Sequence, residues 1–171
     1  MRVKQIIINK AADLATRLGT PNDFPADLLL VFGGIAHFTL PSLSELLRCT
    51  FPDAMVLGCS TAGEITADGV NDGTCTITAI KFDQTRLAQG STCLSGMDDS
   101  FAAGERLGKQ IAAPGLKAVL VFGPGVQING SALVNGMASI IGAGIPITGG
   151  LAGDGGAFKE TFTIGANGVA H

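Results

Sequence analysis

Residues 58–65 read "GCSTAGEI", directly behind the apolar run "AMVL". A thiol and two hydroxyls stand between two glycines, and a carboxylate follows at once. A second stretch, "GGLAGD" from Gly149, again ends a run of glycines on a carboxylate, Asp154. Ser60 and Thr61 can donate hydrogen bonds to a small polar ligand, and Glu64 can receive a cationic or N–H group. Glycines permit positive φ and let another group approach backbone N–H donors, which suits a carboxylate. The same hydroxyls can instead cap turns, and Glu64 or Asp154 can fix its own loop. Residue types alone leave both readings open.

Covalent chemistry fits less well. Cys59 after a strand invites comparison with a nucleophile elbow, but the run is G-C-S-T-A-G and not G-x-S-x-G. His37 and the terminal His171 are the only histidines. A hydrolase or transferase using Cys59 or Ser60 would have to bring His37 in from another loop as its base, and Cys59 reads first as a small buried residue. Glu64, Asp68, Asp72 and Asp154 are conceivable ligands of a hard cation, yet "DGVNDG" reads as a turn between strands. No metal site is expected. "GGLAGDGG" has its glycines in the wrong frame for a dinucleotide loop, and no GK[ST] occurs.

Composition narrows the partners. The formal charge is -3, with no run of Lys or Arg and no Trp or Tyr to stack on bases, which excludes nucleic acid. Cysteines at 49, 59, 75 and 93 match neither CxxC nor a zinc spacing, and no cleavable signal opens the sequence. A reducing cytoplasm is the expected setting. Residues 118–153 carry no charge, but Pro124, Asn129, Asn135, Pro146 and several glycines break the run, so no membrane span is expected. Hydrophobic residues at 46% and 171 positions allow a sizeable core without disulfides.

The elements that must position these loops are given twice. "LVFG" stands at 30–33 and again at 120–123, and at the same offset of 90 "AGE" at 62–64 meets "AGD" at 152–154. Between each pair lie an apolar helix candidate, "PSLSELLRCT" or "GSALVNGMASII", and a short apolar strand ending in glycine. "VKQIIIN" from Val3 and "RLAQGSTCL" from Arg86 read as opening strands. "AADLATRLG" and "SFAAGERLGKQI" read as helices, and "TCTITAIKF" and "TFTIGANGVA" as closing strand runs. The order strand, helix, strand, helix, strand, strand, with halves at about 1–85 and 86–171, predicts an α/β fold. A mixed β-sheet covered by helices is built from an internally duplicated unit. Both "LVFG" strands are expected to be central, with Leu30, Phe32, Leu120 and Phe122 inaccessible. The candidate loops then leave the carboxyl ends of parallel strands, where α/β sheets bind ligands. Two carboxylates there, with few cations nearby in sequence, favour a ligand carrying an ammonium group, and the glycine N–H groups would take its carboxylate.

"VLGCSTAGEI" before a β run, and "PITGGLAGDGGAF" before another, resemble the N-terminal region of FIST domains, the "F-box and intracellular signal transduction" sensory modules. The resemblance runs from about Leu28 to the end. It implies a cytoplasmic domain that senses a small molecule such as an amino acid, and the lack of a nearby base makes a non-enzymatic sensor the leading reading over a hydrolase or transferase. Its partners would be a signalling protein, an attached output domain or a further copy of the chain. By position it points to Gly58, Ser60, Thr61, Gly63 and Glu64 in the first motif, and to Gly149, Gly150, Gly153 and Asp154 in the second. Some relatives bind haem, for which His37 in "GIAHF" is the internal axial candidate; no cofactor is expected here. Such domains usually continue into a C-terminal region, so a chain stopping at His171 is expected to be a piece of a longer one.

Overall fold

The computed structural model describes residues 1–66 and 68–171. The first half supplies β1 (Arg2–Ile8), α1 (Leu14–Arg17), β2 (Leu28–Gly33), α2 (Ile35–Phe38), α3 (Leu43–Thr50), β3 (Met55–Ser60), the short strands β4 (Glu64–Thr66) and β5 (Gly69–Asn71), and β6 (Cys75–Lys81). The second supplies α4 (Ser100–Ile111), β7 (Val119–Gly123), α5 (Gly130–Ile141), β8 (Ile147–Leu151), β9 (Thr163–Gly165) and β10 (Gly168–Ala170). The fold is α/β with a mixed sheet, as the pattern predicts.

The main sheet has six strands in the order β1-β6-β2-β3-β9-β10. Only β2 and β3 run parallel, joined by the crossover through α2 and α3, and every other neighbour is antiparallel. Strand β2 is therefore interior, between β6 and β3. Its alternation buries Leu29 and Val31 completely, on the face where Leu43 and Leu47 of α3 pack with Ile8, Leu14, Phe51 and Ile77. Leu30 and Phe32 point the other way and are half-buried. There the Phe32 ring meets Phe122 edge-to-face at 5.3 Å.

The second "LVFG" differs from expectation. Among the described residues β7 pairs in parallel with β8 alone, in a separate two-stranded sheet, and Leu120 is 36% exposed. An interior strand needs neighbours on both edges, and β7 has one. The companion helices α4 and α5 cross closely because each offers a glycine to the other's backbone. A Cβ on Gly104 would collide with the Leu133 carbonyl, and one on Gly136 with that of Phe101. The stretch from Arg86 forms no strand. Side chains of α4 satisfy its backbone instead: Arg106 donates to the Cys93 carbonyl (2.8 Å), and Gln110 bonds both the carbonyl (3.0 Å) and the N–H (3.1 Å) of Ser91.

The uncharged run 118–153 is resolved into β7, α5 and β8. Among the described residues no helix is long and apolar enough to cross a membrane.

Candidate functional site

Ser60 is the last residue of β3 and is fully buried. Its hydroxyl donates to the Gly153 carbonyl (2.7 Å) and accepts from the Phe162 N–H (2.9 Å). Its backbone N–H donates to the Phe162 carbonyl and its carbonyl accepts from the Gly153 N–H, both at 2.8 Å. One serine thus joins the first glycine-rich motif to the second across 93 residues of sequence. A Cβ on Gly153 would stand 2.9 Å from the Ala62 nitrogen, so the contact also requires glycine there.

Glu64 opens β4 and is 2% exposed. Its carboxylate accepts the Thr61 hydroxyl at one oxygen and, at the other, the Thr74 N–H (2.9 Å) and hydroxyl (2.7 Å). A buried carboxylate is tolerable only with such donors. Here they tie Thr61 and Thr74 to one carboxylate, on either side of the β4–β5 pair. Asp154 plays a similar part at the surface. Its Oδ1 accepts from the Phe158 N–H (2.9 Å) and its Oδ2 from the N–H groups of Lys159 (2.7 Å) and Glu160 (3.3 Å). Those donors hold its carboxyl below the usual carboxylate range.

The glycines divide by what a side chain would meet. A Cβ on Gly58 or Gly149 would run into the carbonyl of Val31 or Val121 on the neighbouring parallel strand, and Gly149 also has φ +145°. On Gly63 it would lie 3.0 Å from the Asp72 carboxylate, a side chain able to move. On Gly150, exposed on β8, it would meet nothing within 4 Å. Backbone packing explains Gly58, Gly149 and Gly153, and leaves Gly150 unexplained.

Two residues escape a reading by motif. His37, on the four-residue helix α2, is fully buried, and neither ring nitrogen is hydrogen-bonded to any of the described residues. Burial lowers its pKa, against smaller opposing effects of the Gly34 backbone and the Glu64 charge. The signal was present in "GIAHF", a histidine among apolar residues just after a buried strand. Thr74, which holds Glu64, carries no motif; only its place after the "NDG" turn marks it. The thiols of Cys59 and Cys75 are buried and pushed up to about 11 and about 12, so both stay protonated at neutral pH. Among the described residues no group of three His, Cys, Asp or Glu side chains is placed to hold a metal ion.

No curated protein and no solved structure matches the chain. The family model of the FIST N domain matches residues 27–171, a range that takes in both glycine-rich motifs and the Ser60 connection between them. The chain therefore belongs to the FIST N domain family, sensory domains of signal-transduction proteins.

Proposed function

We propose that the domain binds a small polar ligand of the amino acid class at the loops that follow β3 and β8, and that it acts in the cytoplasm as the input unit of a signalling protein or partner. The observation that supports this reading is the Ser60 connection. It joins two glycine-rich loops, each leaving a parallel strand pair at its carboxyl end, where α/β folds gather ligand groups. In this reading Asp154, half-buried and in no ion pair among the described residues, takes the ligand's ammonium group. The open backbone at Gly150 admits its carboxylate, and Glu64 keeps the first loop in shape from its buried position. The shared register, Val31 against Gly58 and Val121 against Gly149, favours a common origin for the two strand pairs.

Calorimetric melting against a panel of amino acids and small carboxylates tests the reading; with no Trp or Tyr the chain has little intrinsic signal of its own. A ligand at one hundred times its dissociation constant adds about 2.7 kcal/mol, which raises the midpoint by roughly 5–10 °C in a chain of this size. The expected result is a rise confined to ligands carrying both ammonium and carboxylate groups, and lost in Asp154→Asn. A midpoint unmoved by every member at millimolar concentration overturns it.

A further inference from the structure

The β4–β5 hairpin has its polarity reversed. In an antiparallel pair with one face on the protein and one in water, apolar side chains face inward and polar ones outward. Here the register is Glu64↔Asn71, Ile65↔Val70 and Thr66↔Gly69. Glu64 faces the body, with Thr66 and Asn71 on its side of the ladder. Asn71 Nδ2 donates to the Thr66 hydroxyl at 3.1 Å, which ties the inner face together. Ile65 and Val70 occupy the opposite face, directly across from each other, 81% and 75% exposed. Because side chains alternate with a period of two, burying Glu64 against Thr74 forces this pair into solvent. A one-residue slip would bury the pair and leave Glu64 without its donors.

A cross-strand pair of β-branched residues held out on a hairpin is an apolar contact surface, not a scatter of single exposed residues. Its rim is acidic: Asp68 and Asp72 are exposed on the same hairpin and its exit, and neither is in an ion pair among the described residues. We infer that this hairpin is a docking finger for a protein partner presenting an apolar cleft rimmed by Lys or Arg. The rim chooses the occupant. A second copy meeting the hairpin symmetrically would set Asp68 and Asp72 against their own counterparts, and an anionic membrane would repel them. A basic rim removes both conflicts while Ile65 and Val70 fill the cleft. The surface exists in the absence of ligand, so the proposed amino acid binding can fail without touching it.

The test uses the whole chain, isotope-labelled, titrated with two synthetic peptides of equal length that alternate Leu with Lys or Leu with Glu. The expected result is that the Leu/Lys peptide shifts amide resonances within 64–72, weakens with added salt, and binds at least tenfold more tightly than Leu/Glu. The affinity should fall at least tenfold in Ile65→Ser/Val70→Ser and again in Asp68→Asn/Asp72→Asn, with melting temperatures within a few degrees of wild type, since these exposed side chains lose at most a cross-strand contact. Equal binding of the two peptides, shifts confined to other residues, or an unaltered affinity in the serine variant overturns the inference. Self-association by sedimentation that the serine variant abolishes would assign the surface to a second copy. Hairpin-dependent pelleting with phosphatidylserine vesicles would assign it to a membrane. Either result also overturns it.

Discussion

Ser60 Oγ lies 2.7 Å from the carbonyl oxygen of Gly153, and the Gly153 N–H donates back to the Ser60 carbonyl at 2.8 Å. The two residues belong to motifs 93 residues apart, one in each half of the chain, so their contact fixes where the second half sits against the first. Ser60→Ala removes a donor and an acceptor together. The Gly153 carbonyl loses its hydroxyl partner and the Phe162 N–H is left unmatched in a buried setting, at about 1–3 kcal/mol for each orphaned group. Urea denaturation followed by far-ultraviolet circular dichroism should show that loss. Amide exchange should accelerate first at Phe162; protection there equal to wild type would show that the bond contributes nothing.

Glu64→Gln should act on the fold before it acts on any ligand. The carboxylate receives the Thr61 hydroxyl and two Thr74 donors. An amide has one acceptor oxygen and turns an NH2 toward the remaining donors. The expected cost is about 1.5–3 kcal/mol, the worth of a hydrogen bond to a charged group. Glu64→Asp, which keeps the charge but shortens the reach, should fall between wild type and Glu64→Gln in the same urea titration.

His37 sets a pH dependence whose sign follows from its burial. Its pKa in the folded chain is lowered from 6.5, so the unfolded chain binds the proton more readily. Stability is then fully present above about pH 6.5 and drains away as the pH falls below it toward the folded value. Asp154, whose carboxylate the backbone N–H groups of Lys159, Phe158 and Glu160 hold low, contributes in the same sense but in a lower window, below its ordinary 3.8. Midpoints of denaturation measured between pH 7.5 and 5 should fall in wild type. They should stay nearly flat in His37→Leu, which fills the space without titrating. A wild-type curve as flat as that of His37→Leu would remove the buried neutral imidazole from the account.

The four thiols should separate into two classes. Cys49 and Cys93 are exposed, whereas Cys59 and Cys75 are buried and protonated. Ellman's reagent on the native chain should titrate two thiols quickly and the other two only on unfolding. Rapid reaction at Cys59 would revive the nucleophile reading of "GCSTAGE".

How far the sequence disclosed this arrangement depended on whether the signal was local. The crossover from β2 through α3 to β3 follows from hydrophobic periodicity and glycine punctuation, whereas the short helix α2 had no such signal and the run from Thr161, read as one closing strand, folds back as the hairpin β9–β10. The position of β7 does not: "LVFG" at 30–33 and 120–123 are identical in residues, and only the number of strands pairing with each makes one interior and the other half-open. The stretch from Arg86 has strand-like residues, but Arg106 and Gln110 reach it from a helix and satisfy its backbone first. In the site, the prominence of Glu64 and Ser60 was legible from their place among glycines. The identity of their partners, Thr74, Gly153 and Phe162, was set by tertiary packing that no spacing rule records.

Gly149 and Gly150 offer the sharpest separation of fold from site, because they are neighbours in one strand under different constraints. A Cβ on Gly149 would collide with the Val121 carbonyl of β7, at a φ of +145° that residues with side chains rarely adopt. Gly149→Ala should therefore break the β7–β8 pairing, costing several kcal/mol by backbone strain and a lost ladder bond. A Cβ on Gly150 meets nothing within 4 Å and its φ is ordinary, so Gly150→Ala should melt within about 0.5 kcal/mol of wild type or slightly above it, since alanine narrows the unfolded ensemble. If a ligand carboxylate approaches the backbone at this point, the added methyl, and more so the side chain of Gly150→Val, should abolish the calorimetric shift produced by the amino acid panel while the unliganded midpoint stays put. A Gly150→Val chain that keeps both its midpoint and its ligand shift would move the ligand away from β8, and the glycines of the second motif would be left with backbone packing as their whole explanation.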